Sequence, residues 1–318
     1  MTAWAVDQAS LGELVDSGLA SIEQAMYQAT SSEVAVLREA SRHILSAGGK
    51  RIRPRLLLLS YLALGGADLD LVAKPAAAVE LMHTASVVHD DINDHGIVRR
   101  GRPSVNSLWG RTFALLTGDF LFTAVYELMA PYQALNVDLA RAATALVEGE
   151  TLQASAVKDQ IFTREIYMRI IALKTAALFR AAGVIGAKLA NGSSDAVAAL
   201  GNFGFNLGMA FQIVDDILDL VADESTLGKS SGIDVEQGRG VAVALSDAGG
   251  GASNGRHGVD DAMDSIKRRL LEGNTIEQAR EQAELLVQGA IAQLAVLPNS
   301  HFKEELVDLA NLVIKREY

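Results

Sequence analysis

The chain has 318 residues, 49% of them apolar, which is enough for one large core or two average ones. Its 28 basic residues face 39 acidic ones, for a net charge of −11, so a general nucleic-acid-binding role is excluded and an anionic ligand needs a local basic site. The chain has no cysteine, which excludes disulfides, thiolate zinc sites and a cysteine nucleophile. Any metal must therefore be bound by oxygen or imidazole.

Apolar residues recur mostly at intervals of three and four, which predicts an all-α protein. Local signals mark helix ends in chain order: Pro75 in a first turn, Asn136 as a cap, Thr163 opening a stretch that ends at Asn191–Gly192, a capping box at Thr275–Gln278, and Pro298–Ser300 before a last helix. Neither a linker before residue 223 nor an internal repeat is found, so we expect a single domain over residues 1–318.

The helical pattern lapses between residues 222 and 260. Glycines and small polar residues are frequent there, which predicts a mobile lid loop within the domain. The first half of this loop carries Lys229, Asp234 and Arg239, whereas its second half carries nothing comparable.

The N-terminal residues carry acids where a signal peptide has its apolar core, so we expect no secretion signal. Asp119 and Glu127 interrupt the apolar stretch from 111 to 130, and no run is expected to reach the ~20 residues that span a bilayer. These features, with the lack of cysteine, favour a soluble cytoplasmic protein.

Six aspartates form two clusters of one pattern, DDxxD: Asp90, Asp91 and Asp94, and Asp215, Asp216 and Asp219. Each cluster is predicted to end an apolar helix, with its first and last aspartates on the same face. Such like charges repel, and a hard divalent cation between them removes the repulsion. Because the ligands are all oxygen, the pattern points to Mg²⁺. One cluster alone would suit a solvated helix end, but two matched copies favour a metal site.

Basic residues lie in short groups around these clusters: Lys50, Arg51 and Arg53 after two glycines, Arg99, Arg100 and Arg102 after the first cluster, and Lys174 in an apolar stretch. Basic side chains hold phosphate oxygens while Mg²⁺ joins the same phosphates to aspartates, which is how proteins bind diphosphates. The two arginine-containing groups, with Lys174 apart from them, therefore suggest two phosphorylated ligands. Arg51 and Arg102 are expected to be ordinary surface residues.

The motifs together resemble the trans-isoprenyl diphosphate synthases, and among these the long-chain polyprenyl diphosphate synthases. The segments GGKRIRP, HDDIND with RRGRPSVNSLWG, GDFLF, EGETLQ, KTAALF, FQIVDDILD and GKSSGID follow the order and spacing of that family over nearly the whole chain. The resemblance implies an all-α fold, a homodimer, and a central cavity with the two aspartate clusters facing each other at its mouth.

The resemblance also implies a ligand set. About three Mg²⁺ ions, which Mn²⁺ can replace, would join an allylic diphosphate to the aspartates. The implied direct ligands are Asp90, Asp94 and Asp215, with Asp91, Asp216 and Asp219 as ligands or their supports. The allylic diphosphate would also contact Arg99, Lys174, Thr175, Gln212 and Lys229, with Arg239 where the family often has lysine. Isopentenyl diphosphate would be held by Lys50, Arg53, His83 and Arg100.

The implied reaction needs no protein nucleophile. Breaking the allylic C–O bond leaves a carbocation, the double bond of isopentenyl diphosphate attacks it, and a proton is lost.

There are three alternative functions for a chain with these motifs. A terpene cyclase would lack the second cluster, and a non-catalytic subunit of a heteromeric synthase would usually lose aspartates. A geranylgeranyl diphosphate synthase remains the main alternative, and the need for a small partner chain stays open.

Product length is expected to depend on the helix that ends at the first cluster. Ala85 and Ser86 lie about one turn before Asp90 and Met82 lies below them, and both upper residues are small where short-chain members usually carry an aromatic ring. We therefore expect a product of about six to ten isoprene units, at roughly one unit per helical turn. A product of that length can associate with a membrane.

Overall fold

The computed structural model describes residues 8–161, 163–230 and 275–315, with side chains described for 11–161, 163–218 and 276–315. The α-helices are α1 (Gln8–Ala29), α2 (Ala35–Ser46), α3 (Ile52–Ala63), α4 (Leu69–Asn93), α5 (Val105–Trp109), α6 (Arg111–Met129), α7 (Gln133–Asp159), α8 (Arg164–Ile171), α9 (Ala177–Leu189), α10 (Ser194–Ser230), α11 (Thr275–Gln293) and α12 (His301–Ile314). A π-helical segment, Ala172–Ala176, joins α8 to α9, and a 3₁₀ turn, Leu294–Val296, follows α11.

The all-α prediction is confirmed. Strand structure within the described residues is a two-residue antiparallel ladder between β1 (Val98–Arg99) and β2 (Arg102–Pro103). Helix α3 is buried on every side in its middle, where Leu56, Leu57, Leu58 and Leu59 are all 0% exposed. It packs against α4 and α9, α4 packs against α6, and α9 packs against α10. The core therefore lies around α3, α4, α9 and α10, and two of these helices, α4 and α10, carry Asp90 and Asp215 of the two aspartate clusters.

Two helix starts differ from the sequence prediction. Pro75 lies inside α4 and not in its first turn, because the helix begins at Leu69 under the Asp68 cap. A proline there leaves the carbonyl four residues earlier without its usual donor, and the Tyr132 hydroxyl donates to that Leu71 carbonyl at 3.1 Å. Asn136 lies within α7, which begins at Gln133, so it is not a cap.

Two other helix starts are confirmed. The Thr163 hydroxyl accepts a hydrogen bond from the Ile166 amide at 3.3 Å at the start of α8. The Ser300 hydroxyl accepts one from the Lys303 amide at 3.2 Å at the start of α12. Both are side-chain caps of the kind that stabilises a helix N-terminus.

Helix α10 is longer than predicted. It continues to Ser230, so the second aspartate cluster lies inside a helix and not at its end. Residues 222–230 of the predicted lid loop are helical, and residues 231–260 lie outside the described residues. The single-domain prediction for residues 1–318 likewise extends beyond the described residues.

Four helical stretches are long and apolar enough to cross a membrane by length and composition, so the expectation that none reaches this length is wrong. They are Leu69–Asn93, Arg111–Met129, Arg164–Leu189 and Ser194–Leu218, with 78%, 44%, 67% and 61% of the apolar window buried inside the fold. The sequence reading failed because one or two charges do not reduce the mean hydropathy of such a window enough. Three of the windows are mostly covered by neighbouring helices, whereas that of α6 is covered over less than half.

Candidate active site

The first aspartate cluster lies where α4 ends. The Asp90 side chain is 16% exposed and Asp94 follows the last helical residue, whereas Asp91 is only 2% exposed. The Asp91 Oδ1 accepts hydrogen bonds from Arg99 Nε at 3.0 Å and Nη2 at 2.8 Å. The structure thus brings Arg99, predicted to bind the allylic diphosphate, onto an aspartate of the first cluster.

The second cluster repeats this arrangement on α10. Asp216 is 2% exposed, and its Oδ2 accepts a hydrogen bond from the Tyr167 hydroxyl at 2.7 Å. Its Oδ1 accepts one from Gln212 Nε2 at 3.1 Å, and Gln212 Oε1 accepts one from the Thr175 hydroxyl at 2.8 Å. Burial and the Asp216 carboxylate raise the pKa of Tyr167 well above its usual value, so the phenol stays a donor. Asp215, by contrast, is partly exposed.

Lys174 lies in the π-helical segment, the kind of local widening that often occurs at functional sites. Its Nζ lies 2.6 Å from Glu150 Oε1 on α7 and 3.6 Å from Asp90 Oδ2 on α4. Gly149 permits this approach, because a Cβ there would lie 2.7 Å from the Lys174 backbone nitrogen. The structure therefore joins an aspartate of the first cluster to the predicted lysine.

The electrostatics of this triad favour a charged lysine. Burial raises the pKa of Asp90 to about 6, with a further rise from Glu150 and an opposing effect from Lys174. Burial acts to lower the pKa of Lys174, but Asp90 and Glu150 outweigh it and raise that pKa overall. Bringing two carboxylates together is unfavourable unless a cation lies between them, and Lys174 is that cation here.

The predicted isopentenyl diphosphate residues come from three segments. Lys50 precedes α3, Arg53 lies in the first turn of α3, His83 lies on α4, and Arg100 lies between β1 and β2. The Arg100 guanidinium packs against Gly49, where a Cβ would lie 2.6 Å from Nη1. Lys50 and Arg100 are exposed, whereas Arg53 and His83 are partly covered.

Burial dominates the titration of the two covered residues. It lowers the pKa of Arg53 to about 10, opposed by Glu80 and Asp215 and reinforced by Arg100. Burial and the nearby arginines, Arg53 first, lower the pKa of His83 well below its ordinary value. His83 is therefore a neutral hydrogen-bonding group among cations at pH 7.

The prediction that Arg51 is an ordinary surface residue is wrong. Its side chain is 17% exposed, and its Nη1 lies 3.0 Å from Glu80 Oε1. Glu80 is 3% exposed, so a buried carboxylate lies among the arginines and provides counter-charge. Local sequence did not reveal this contact, because Arg51 immediately precedes α3 whereas Glu80 lies on α4.

Sequence reasoning missed Glu80, Glu150 and Tyr167. Glu80 is an acidic residue in the apolar run of α4, and Glu150 belongs to the quoted EGETLQ segment, so both had a usable signal. For Tyr167 the sequence carried no signal beyond its position near Lys174.

The remaining predicted residues include three on α4, Ala85, Met82 and Ser86, which are 0%, 3% and 8% exposed. The side chains of Asp219, Lys229 and Arg239 lie outside the described residues.

The donor chemistry fits Mg²⁺. Within the described residues no three metal-ligating side chains lie close enough to hold an ion by themselves. Mg²⁺ typically uses only one or two carboxylates and completes its shell with water and substrate phosphates. Asp90 and Asp215 are both partly exposed and suit that mode.

This fold and site define a class of α-helical enzyme in which two aspartate clusters and nearby cations accept diphosphates. The polyprenyl synthetase family model matches residues 34–254, and the chain belongs to that family and is a prenyltransferase. Enzymes of this family act on isopentenyl and allylic diphosphates and are generally Mg²⁺-dependent.

Individual relatives extend over nearly the whole chain. An octaprenyl diphosphate synthase of Escherichia coli strain K12 is 33% identical, over 96% of this chain and 98% of its own length. Component 2 of the heptaprenyl diphosphate synthase of Geobacillus stearothermophilus is 37% identical, over 94% of this chain and 96% of its own. The crystal structure of a decaprenyl diphosphate synthase from Rhodobacter capsulatus superposes with a TM-score of 0.79 at 34% identity, over 98% of this chain and 100% of that one.

Proposed function

We propose that this prenyltransferase is a trans-polyprenyl diphosphate synthase that extends farnesyl or geranylgeranyl diphosphate with isopentenyl diphosphate units to a long-chain product. The observation that carries the proposal is that cations lie in two groups, one with Lys174 beside Asp90 and the other with Arg53 near His83. The three relatives described above are octaprenyl, heptaprenyl and decaprenyl diphosphate synthases, which supports the long product.

In this proposal one set of residues binds the allylic diphosphate and another binds isopentenyl diphosphate. Lys174, Thr175, Gln212 and Arg99 hold the allylic diphosphate, with Lys229 and Arg239 assigned by resemblance alone. Lys174 stabilises the charge that grows on the leaving diphosphate. Three Mg²⁺ ions, or Mn²⁺ in their place, held by Asp90, Asp94 and Asp215 would supply most of that stabilisation. Arg53, with Lys50, His83 and Arg100, orients isopentenyl diphosphate so that its double bond meets the carbocation.

Three further features belong to the proposal. A homodimer is supported by α6, where Phe113, Leu115, Leu116 and Tyr126 are 44%, 48%, 48% and 64% exposed. The cytoplasm is the proposed compartment, which suits a chain without cysteine, and a long product would partition into a membrane.

A geranylgeranyl diphosphate synthase is the second candidate, and small side chains at Ala85 and Ser86 argue against its shorter product. A non-catalytic subunit is disfavoured because all six aspartates are present. One relative is named as component 2 of a heptaprenyl diphosphate synthase. Assays should therefore also be run with a small partner chain added.

The direct test is product analysis. Purified chain with Mg²⁺, isopentenyl diphosphate and either farnesyl or geranylgeranyl diphosphate should yield products of about six to ten units by mass. Asp90→Ala and Asp215→Ala should abolish turnover while circular dichroism stays unchanged, whereas Asp70→Ala, an exposed aspartate on the same α4, should retain it. Normal turnover in either cluster variant would refute the metal-site assignment.

The two-site assignment has its own test. Lys50→Ala or Arg53→Ala should raise KM for isopentenyl diphosphate, and Lys174→Ala should raise KM for the allylic substrate. Each lost charge-assisted contact should cost ~1.5–3 kcal/mol, roughly ten- to a hundredfold. Equal effects on both substrates in every variant would contradict two separate sites.

A further inference from the structure

Arg53 lies over an aromatic ring to which the proposed function assigns no role. Its guanidinium carbon is 4.6 Å from the centroid of the Phe179 ring, within the range of a cation–π interaction. Phe179 lies on α9 and is 0% exposed, and α9 packs directly against α3, which carries Arg53. A cation from one helix is thus placed on the face of a fully buried ring from another.

Residues of α10 also pack against Phe179. Gly208 leaves the space it needs, since a Cβ there would lie 3.0 Å from both Cβ and Cγ of Phe179. A Cβ at Gly204 would contact the Phe179 carbonyl oxygen. The Phe211 ring lies 5.5 Å from the Phe179 ring at 42°, a tilted aromatic contact. The Phe179 ring therefore has little freedom to turn away from Arg53.

The guanidinium lacks other direct partners on one edge. Its Nε is buried and makes no hydrogen bond within the described part of the chain. Glu80, a buried carboxylate, is paired with Arg51 at 3.0 Å, and it acts on Arg53 through space together with Asp215. Burial penalises the charged guanidinium, and the face of the Phe179 ring favours the cation without needing a hydrogen bond.

We propose that Phe179 is a positioning residue for isopentenyl diphosphate binding, whose ring face holds the Arg53 guanidinium in one place before the substrate arrives. This inference rests on the proposed function, in which Arg53 binds that diphosphate. A preorganised cation loses less freedom on binding, so the effect belongs to the affinity for isopentenyl diphosphate and not to the allylic substrate.

A plain truncation cannot separate this role from packing, because Phe179→Leu also leaves a cavity in the core. Fluorination can, since ring fluorines withdraw charge from the aromatic face with little change in size. The experiment replaces Phe179 in the full chain with 4-fluoro-, 3,5-difluoro- and 3,4,5-trifluorophenylalanine. KM for isopentenyl diphosphate, KM for farnesyl diphosphate and kcat are measured with Mg²⁺.

We expect KM for isopentenyl diphosphate to rise stepwise with fluorine number, by about three- to thirtyfold over the series. KM for farnesyl diphosphate and kcat should change by less than about twofold. Phe203 is the matched control, because it is also a 0% exposed phenylalanine and has no cation over its ring within the described residues. A flat series at Phe179, or an equal rise at Phe203, would overturn the inference.

The Arg53→Ala variant separates failure of this inference from failure of the proposed site. Suppose that Arg53→Ala raises KM for isopentenyl diphosphate and that fluorination of Phe179 has no further effect in the Arg53→Ala protein. The ring then acts through Arg53. If Arg53→Ala raises that KM but the series is flat in the native background, only the role of Phe179 is wrong. If it leaves that KM unchanged, the assignment of Arg53 is wrong, and the role of Phe179 with it.

Discussion

His83 is held neutral in the folded protein, which links stability to pH. Burial and the surrounding arginines lower its pKa well below the ordinary 6.5. In the unfolded chain the imidazole regains its ordinary pKa and takes up a proton as pH falls below that value. Because the unfolded state then binds a proton that the folded state does not, stability decreases as pH falls through this window.

His83→Gln should remove this dependence. Below pH 6.5 the wild-type free energy of unfolding should fall with decreasing pH by up to about 1.4 kcal/mol per unit more than that of the variant. Urea unfolding at pH 7.5, 6.5 and 5.5 measures the difference. Parallel pH curves for the two proteins would mean that the pKa of His83 is the same in the folded and unfolded states.

The contact between α7 and the π-helical segment depends on a single glycine. Alanine normally stabilises a helix interior by up to about 1 kcal/mol relative to glycine. At Gly149, however, the new Cβ would lie 2.7 Å from the Lys174 backbone nitrogen, which cannot rotate out of the way. The two segments must therefore separate, and Lys174 must shift relative to Glu150 and Asp90.

Gly149→Ala should lower the free energy of unfolding by about 1–3 kcal/mol and raise KM for the allylic substrate. Gly12→Ala in α1 is the matched control, because nothing lies within 4 Å of its added Cβ. That control should be neutral or stabilising in the same urea titration. If Gly149→Ala matched the control in both stability and KM, the close contact between Gly149 and Lys174 would contribute to neither folding nor substrate binding.

Helix α4 also carries the prediction about product length, which no contact in the structure tests. Ala85→Phe places a ring one turn before Asp90 and should shift the main product towards farnesyl or geranylgeranyl length without abolishing turnover. Product mass measures the shift. Unfolding by urea adds a second readout, because a ring forced into a packed site costs about 1–3 kcal/mol, whereas a ring in a tunnel does not. An unchanged product distribution would contradict the assignment.

At the scale of the molecule, the exposed face of α6 is the surface proposed for the dimer. Leu116 is 48% exposed there, and Leu116→Glu should place a charge against the partner copy and give a monomer. Leu312→Glu, at a 56% exposed leucine on α12, is the matched control and should leave the mass unchanged. Light scattering after size-exclusion chromatography measures both. A dimer in both variants would place the interface elsewhere.

Several features were determined by the sequence alone, because they depend on neighbours within a turn or two. The spacing of three and four predicts helices, and the hydroxyls of Thr163 and Ser300 cap the helices that follow them. The two aspartate clusters likewise need no knowledge of the fold. Family and chemistry could be predicted from such local patterns.

Tertiary structure decided what lies between distant segments. Arg99 and Tyr167 turn the middle aspartate of each cluster inward, and neither contact follows from helical spacing. The Tyr132 hydroxyl permits Pro75 inside α4. Phe179 and Arg53 meet only because α3 packs on α9. Periodicity determines which face of a helix is apolar, but the partner of each buried charge depends on which helices meet, and that depends on the packing of the whole chain.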